Sequence, residues 1–273
     1  GPWSNGDLDY QARHVAAMVT NNASFNCNAA KVLVTAKGWP LRDAFVAKVH
    51  EKLGTIPSRK AYYPGARDRF EAFLDNYPSA QKLSADGDEI VPWTVIPGVP
   101  ADGSEYALSN EAFCGVLAEV DLDATTAEEF IEQAIPFGND ECWGTLSCMM
   151  LVHGKTMKEH ASAVERMIEE LRYGGIGVNV WAGLIYGLVT PPWGAFPGHT
   201  LEDIRSGRGV VHNTFLIDHP QKTVVRAPFR INPTPAWFSD HKTQDKLGER
   251  MAKFEASPSW LKLPSVVGAA LRG

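Results

Sequence analysis

Apolar residues recur along the chain in two alternating rhythms, one helical and one of short continuous runs. Leu8, Ala12, Val15, Ala16 and Val19 keep helical spacing behind acids in a first turn, which predicts a helix over Asp7 to Asn21. Lys31 to Thr35 is a β-branched run too short for a helix and reads as a strand. Leu41 to Leu53 is an amphipathic helix carrying Phe45, Val49 and Leu53, closed by Gly54 and Pro57. Tyr63 to Asn76 is another, with Phe70, Phe73 and Leu74 on its apolar face, stopped before Pro78. Asp86 to Asn110 is broken by Pro, Gly and Asp and predicts irregular loop and edge strands.

Val116 to Leu122 predicts a strand, and Thr126 to Ala134 a helix opened by a capping pattern that ends in Glu128-Glu129. Leu146 to Val152 is a wholly apolar strand, Met157 to Leu171 a long helix and Gly177 to Val180 a strand. Strands alternate with helices, and the strands are apolar on both sides. That combination predicts an α/β fold with a mostly parallel sheet covered by helices on both faces. After Arg205-Ser206-Gly207-Arg208-Gly209 the texture changes. A solitary strand, Lys222 to Arg226, precedes a tail with a helix near His241 to Phe254 and a small apolar end at Trp260, Leu261, Leu263, Val266 and Val267. The chain therefore divides into an α/β domain, 1–221, and a strand-plus-tail segment, 222–273. The strand after the last crossover has no local partner. A homo-oligomer contact through Thr223 to Arg226 is expected there, with an edge strand of its own sheet as the alternative.

Composition narrows the function classes. Of the 273 residues, 44% are hydrophobic and 21% charged, which suits an ordinary globular core. The net charge of −6, with cationic pieces interrupted by acids, argues against nucleic acid as a partner. Cys27, Cys114, Cys142 and Cys148 form no paired framework in a chain this long, so free thiols and a reducing, cytoplasmic setting are expected. Neither they nor the eight histidines show metal-ligand spacing, so no metal is expected. The N-terminus has no basic flank or apolar run of a signal peptide. The uncharged stretch Tyr173 to Gly198 holds seven glycines and three prolines, too interrupted to span a membrane.

Candidate chemistry lies in three places. Asn22-Ala23-Ser24-Phe25-Asn26-Cys27 presents one thiol where a helix gives way to a strand, so the thiol has backbone N–H groups beside it and an approach for substrate. Asn110-Glu111-Ala112-Phe113-Cys114-Gly115 sets a lone acid and an aromatic before the next strand. Gly174 to Val180, followed by Pro191 to Gly198, carries aromatics such as Trp181, Tyr186 and Trp193 without charge, as a tunnel for an apolar substrate requires; a buried loop or a subunit interface would need the same.

In order and spacing these segments resemble the C-terminal, nucleophile-bearing part of the aldehyde dehydrogenase superfamily. The family's N-x-G-Q-x-C motif looks like Asn22 to Cys27, with Ser24 for Gly and Phe25 for Gln. Its E-x-F-G-P motif looks like Glu111-Ala112-Phe113-Cys114-Gly115. Its G-G-x-x-x-V-N strand and P-F-G-G turn look like Gly174 to Asn179 and Pro192-Trp193-Gly194-Ala195, and its oligomerisation strand like Lys222 to Arg226.

The resemblance covers about residues 1 to 230 and implies the following roles. Cys27 attacks an aldehyde as thiolate and forms a thiohemiacetal and then a thioester. Asn22 positions the backbone or helps hold the oxyanion. Glu111 and Phe113 bind NAD or NADP, and Trp181 and Trp193 line the substrate pocket. It also implies that the general base, the oxyanion amide and most of the cofactor site belong to a preceding half, so this stretch alone is expected to turn over little or not at all. A coenzyme A-acylating branch of the family would not need the base.

Free cysteine ionises near ~8.5, and no cation precedes Lys31 near Cys27, so backbone N–H groups, the cofactor's charge or the base must activate the thiol. Two other classes stay open. One is a cysteine hydrolase pairing Cys27 with His14, His153, His160 or His199. The other is a non-catalytic interaction module.

Overall fold

The computed structural model describes residues Gly1–Gly273. It opens with α1 (Asn5–Thr20), whose capping box pairs the Ser4 side chain with the Asp7 N–H and the Asp7 carboxylate with the Ser4 N–H. There follow β1 (Val32–Ala36), α2 (Arg42–Thr55), α3 (Ala66–Asn76), β2 (Gln81–Lys82), β3 (Thr94–Ile96), α4 (Tyr106–Ser109) and β4 (Val116–Leu122). Next come α5 (Ala127–Pro136), β5 (Ser147–Met150), α6 (Gly154–Glu159), α7 (Ala161–Glu170), β6 (Gly175–Val178) and α8 (Gly183–Leu188). The chain ends with β7 (Trp193–Gly194), β8 (Val210–Val211), β9 (Thr223–Arg226), α9 (Gln244–Ala256) and α10 (Leu263–Ala270). No helix is long and apolar enough to cross a membrane.

Two sheets carry these elements, and the expected α/β architecture holds. The first has the order β1-β4-β3-β2, parallel except for the short β2 edge. Its register pairs Val32 with Ala118 and Thr94 with Val116. The second, β5-β6-β9, is wholly parallel and pairs Ser147 with Gly175 and Gly175 with Thr223. β7 and β8 form a separate antiparallel pair.

Alternation along β4 sends Leu117 to one face, where Trp93 and Val95 meet Leu8, Val15 and Val19 of α1 and Phe45, Val49 and Leu53 of α2. Val116, Ala118 and Val120 face the other way and pack with Phe70 and Phe73 of α3. A third core joins Ile131 and Ile135 of α5 and Val164 and Ile168 of α7 to Met150, Ile176 and Val178 of the second sheet. Helices thus cover both faces of the first sheet.

Three sequence expectations change. Thr94–Ile96, expected among irregular loop and edge strands, is a fully buried interior strand between β4 and β2. Prolines at 92 and 97 bracket so short a run that its composition reads as loop. The single helix expected over Met157 to Leu171 is two, parted at His160, whose φ −121° and ψ 34° are not helical and whose ring meets Glu128 at 3.2 Å. At the C-terminal end Val266 is buried, but Trp260 and Leu261 stand 87% and 92% exposed.

Within the chain, the Lys222–Arg226 run pairs in the second sheet. It is an edge strand of its own sheet beside β6, with its outer edge unpaired. Arg226 forks onto Glu165 of α7 at 2.8 and 2.7 Å. Beyond it the tail returns to α1: Gln11 Nε2 donates to the Phe229 carbonyl at 2.5 Å, and Phe238 packs on Tyr10 and Ala17.

Close backbone approach explains the glycines before and in β6. A Cβ on Gly174 would overlap the Gly194 carbonyl, and one on Gly177 the Val180 carbonyl. Gly174 thereby seats the Trp193–Gly194 strand, and Gly177 lets the chain turn back at Asn179, where φ is 59°. The Asn179 amide then bonds both the N–H and the carbonyl of Val152, at 2.7 and 3.0 Å, extending the β5–β6 ladder past its end. Gly174→Ala and Gly177→Ala should each lose about 3 kcal/mol or more in urea unfolding, because backbone rather than a movable side chain blocks the methyl group. Gly187→Ala on α8, where nothing lies within 4 Å, should be neutral or gain up to about 1 kcal/mol.

Candidate functional site

The turn that carries Cys27 is built against the preference of its own residues. After α1 the backbone passes through three successive left-handed positions, Asn22 (φ 51°), Ala23 (φ 56°) and Ser24 (φ 69°). Asparagine tolerates this region, but alanine and serine pay roughly 1–2 kcal/mol each. Ser24 stands where the resembled motif has glycine, the residue that takes such a φ freely.

Side-chain donors hold the turn. Asn22 Nδ2 donates to the Phe25 carbonyl at 2.8 Å and Asn26 Nδ2 to the Asn21 carbonyl at 2.9 Å. Lys31 Nζ reaches back to Ser24, donating to Oγ at 2.7 Å and to the carbonyl at 3.4 Å.

Lys31 also donates to the Cys114 carbonyl at 2.8 Å, which fastens the cysteine turn to the Glu111–Phe113 loop. The residue is partly buried, but protein surrounds its ammonium. Loss of water lowers it to about 8, while the charges of Cys114 and Glu111 act in the opposite direction. On the loop's other side Arg69 donates to the Ala112 and Phe113 carbonyls at 3.1 and 3.4 Å. Phe113 is itself left-handed (φ 40°) and packs edge-on to Tyr63 at 4.8 Å and against Phe25 at 6.3 Å.

These contacts present the Cys27 thiol at the surface. Its side-chain hydrogen-bond neighbour is Asn28, whose Nδ2 lies 3.6 Å from Sγ. Asn28 is in turn fixed by Asn26 Oδ1, by Ser147 Oγ at 3.3 Å and by Trp181 Nε1, which donates to its carbonyl at 2.8 Å. Surrounding protein raises the thiol's pKa; the Cys27 N–H offsets part of that rise, and the Glu111 charge adds a smaller rise of its own. No residue in the chain supplies the positive charge that would ionise it.

The hydrolase alternative finds no support here, because no histidine contacts Sγ. His14 is buried, meets Gln11 Oε1 and is lowered to about 4 by desolvation. His199 bonds Thr145, His160 bonds Glu128, and His153 caps α6.

Cys27, Asn28, Asn110 and Glu111 line one cleft of about 960 Å³, walled chiefly by apolar side chains. Glu111 is exposed, and its carboxylate makes no hydrogen bond or ion pair. The structure therefore brings Cys27 and Glu111 to one cleft, with Phe113 in the adjoining loop. Asn22 acts on the backbone of the turn rather than facing the thiol. Trp181 meets the site through Asn28. Trp193 does not reach it: the ring is buried with Ala182 and Ile185 and lines no part of the cleft.

Lys31, Arg69 and Asn28 were not foreseen. Lys31 is the first cation after the thiol, and that position was its only signal. No group of three or more His, Cys, Asp or Glu side chains converges as metal donors.

Solved structures similar to this chain include aldehyde dehydrogenases. The chain is similar to a salicylaldehyde dehydrogenase from Pseudomonas putida G7 complexed with salicylaldehyde, with a TM-score of 0.61 and 15% identity over 84% of this chain and 46% of that one. It is similar to the indole-3-acetaldehyde dehydrogenase AldA of P. syringae, solved with NAD+ and IAA, with a TM-score of 0.60 and 20% identity over 76% and 40%. An NADP-dependent glyceraldehyde-3-phosphate dehydrogenase from Bacillus halodurans C-125, complexed with NADP, gives 0.58 and 15% over 76% and 40%. No protein-family model and no curated protein sequence matches the chain. The expected resemblance thus holds at the level of fold, and the chain spans less than half the length of these structures.

Two measurements follow from the electrostatics. Glu111→Gln removes a negative charge that opposes the thiolate, so alkylation of Cys27 by iodoacetamide should run about two- to threefold faster at neutral pH, with its midpoint moved down. Because Lys31 in the fold sits below its ordinary value, the unfolded chain binds the extra proton between about pH 8 and 10.5, and this residue makes the fold more stable as pH rises through that window. Urea unfolding at pH 8 and pH 10 should show that increment in the native chain and its loss in Lys31→Met.

Proposed function

We propose that this chain is the nucleophile-bearing part of an NAD(P)-dependent aldehyde dehydrogenase and that Cys27 forms the covalent bond to substrate. The observation that carries this reading is the surface thiol on a strained, clamped turn, sharing one cleft with Glu111 and joined through Lys31 to the Phe113 loop. Strain of this kind is kept where the geometry is used.

Cys27 Sγ adds to the aldehyde carbon, and the carbonyl oxygen becomes a tetrahedral alkoxide. The Cys27 N–H and the Asn28 amide are the nearest donors this chain offers it; one such donor is worth roughly 3–4 kcal/mol. Loss of hydride from that carbon leaves a thioester on Cys27, which water or another acyl acceptor releases.

The unpaired Glu111 carboxylate fits a nicotinamide cofactor. It can accept from ribose hydroxyls, and Phe113 beside it offers an aromatic wall. When bound there, the cofactor supplies the hydride acceptor. Asn22 and Lys31 keep the sulfur where that geometry needs it. The raised thiol pKa supports an activating base outside these residues, and hence little turnover by this chain alone. The unpaired outer edge of β9 supports a role for Thr223–Arg226 in self-association.

Joined to a polypeptide that supplies the activating base, this chain should reduce NAD+ or NADP+ in the presence of an aldehyde, and Cys27→Ser should lower that rate about 10³-fold or more. Undiminished activity in Cys27→Ser would remove Cys27 from the chemistry. Full activity from the 273 residues alone would refute the need for an outside base.

A further inference from the structure

The tail beyond β9 takes no part in the chemistry at Cys27, and its charge is opposite to that of the rest of the chain. Residues 241–273 hold six Lys and Arg against three Asp and Glu, a formal net charge of +3, whereas residues 1–240 hold 20 against 29, a net −9. The tail is a pair of helices, α9 and α10, joined through a 3-10 turn at Trp260–Lys262 that runs directly into α10. One face of α10 is fastened to the protein. Val266 and Ala269 are buried, Arg250 of α9 donates to the Ser265 carbonyl at 2.6 Å, and Thr243 Oγ1 donates to the Ala269 carbonyl at 2.7 Å.

The opposite face is apolar and open. Trp260, Pro264, Val267 and Leu271 recur at helical spacing along the turn and α10, with Leu261 beside Trp260. All five are exposed: Trp260 and Leu261 stand almost wholly in solvent, Val267 is 49% and Leu271 59% exposed. An amphipathic helix ordinarily turns its apolar stripe toward the core. Here a second stripe points away from it, and contiguous exposed apolar surface of this kind marks an interaction site.

The turn is fixed in place before any partner arrives. Lys262 Nζ donates to the Lys253 and Ser257 carbonyls at 3.0 and 2.6 Å and so closes the end of α9. The Lys262 N–H donates to the Ser259 carbonyl at 3.0 Å, the Leu261 N–H to Ser259 Oγ at 3.3 Å, and the Leu263 N–H to the Trp260 carbonyl. Backbone groups of the turn are thus bonded within it, and Trp260 and Leu261 can leave water without stranding them. Cations border the stripe: Arg272 follows Leu271, and Lys253 lies where Lys262 closes α9.

We infer that the α9–α10 pair docks on an anionic lipid surface, lying in the headgroup layer without spanning it. Trp260 and Leu261 enter the layer, Val267 and Leu271 follow, and the bordering cations meet the lipid headgroups. Charge complementarity selects this partner. A second copy docked on the stripe would set one +3 surface against another, and like charges across an interface oppose association. Four of the six cations are lysines, which are depleted from protein–protein interfaces and serve well beside anionic lipid. The acidic body is repelled by the same surface, which turns the tail toward it.

The test is flotation of the 273-residue chain with vesicles of phosphatidylcholine alone and of phosphatidylcholine with about one-third phosphatidylserine, at low and high salt. The anionic vesicles should carry at least about tenfold more protein than the neutral ones, and high salt should release it. Trp260→Ser with Leu261→Ser, and separately Lys253→Glu with Arg272→Glu, should each lower that binding at least about fivefold. These side chains are exposed, and unchanged urea unfolding checks that the fold is kept. Cys27→Ala should bind as the native chain does. Lipids brominated in their acyl chains should quench tryptophan emission in the native chain and not in Trp260→Phe. Docking on lipid is overturned if no vesicle binds, if neutral vesicles bind equally, or if binding survives Trp260→Ser with Leu261→Ser. It is also overturned by a dimer in sedimentation velocity that the same double variant abolishes, which assigns the stripe to a second copy. Retention on immobilised polyglutamate without flotation would assign it to an acidic polypeptide and likewise overturn it.

Discussion

Lys31 holds together what the rest of the site depends on. Its ammonium satisfies Ser24, the last of three left-handed residues, and in the same stroke takes the carbonyl of Cys114 from a loop 83 positions away. Asn22 and Asn26 hold the turn within itself, and Lys31 is the hydrogen-bond donor that ties it to the Glu111 loop. The cost is visible in the ammonium itself, which gives up enough hydration to titrate well below an ordinary lysine. That the cation sits behind the turn, bonded away from the sulfur, also explains why the thiol stays hard to ionise in this chain.

The sheets explain why the turn can be placed so finely. β1 begins one residue after Lys31 and is held in register by β4, whose far side is held by β3. Leu117 of β4 and Val95 of β3 pack with α1, and Leu33 of β1 packs against the same core, so the helix that leads into the turn and the strand that leads out share it. The second sheet touches this assembly lightly at the cysteine end, through Trp181 and Ser147 onto Asn28. The two sheets therefore meet at the thiol's neighbour, Asn28.

Much of this was legible in the sequence, for physical reasons that differ by element. α1, α2 and β4 were readable within a few residues because a helical apolar spacing, or a seven-residue run with five apolar positions and no Gly or Pro, leaves one solution. Thr94–Ile96 was not, because four residues between prolines carry too little pattern. His160 hid a helix break because the break answers to a contact with Glu128 on another helix.

At the site, Cys27 and Glu111 stood out as lone reactive groups at strand mouths. Trp193 shows the limit of such reasoning, since an uncharged aromatic run reports burial and does not say in which core. Lys31 was invisible as a clamp because a side chain reaching back seven positions is defined only once the turn is folded.

The sulfur of Cys27 as the atom that bonds to carbon is the central claim, and it can be observed directly. Carbon-13 NMR of the chain with an aldehyde labelled at its carbonyl carbon should show a tetrahedral hemithioacetal resonance that is absent in Cys27→Ser and present in Cys148→Ser. An adduct that survives in Cys27→Ser, or a spectrum holding only free aldehyde and its hydrate at saturating concentration, would contradict it.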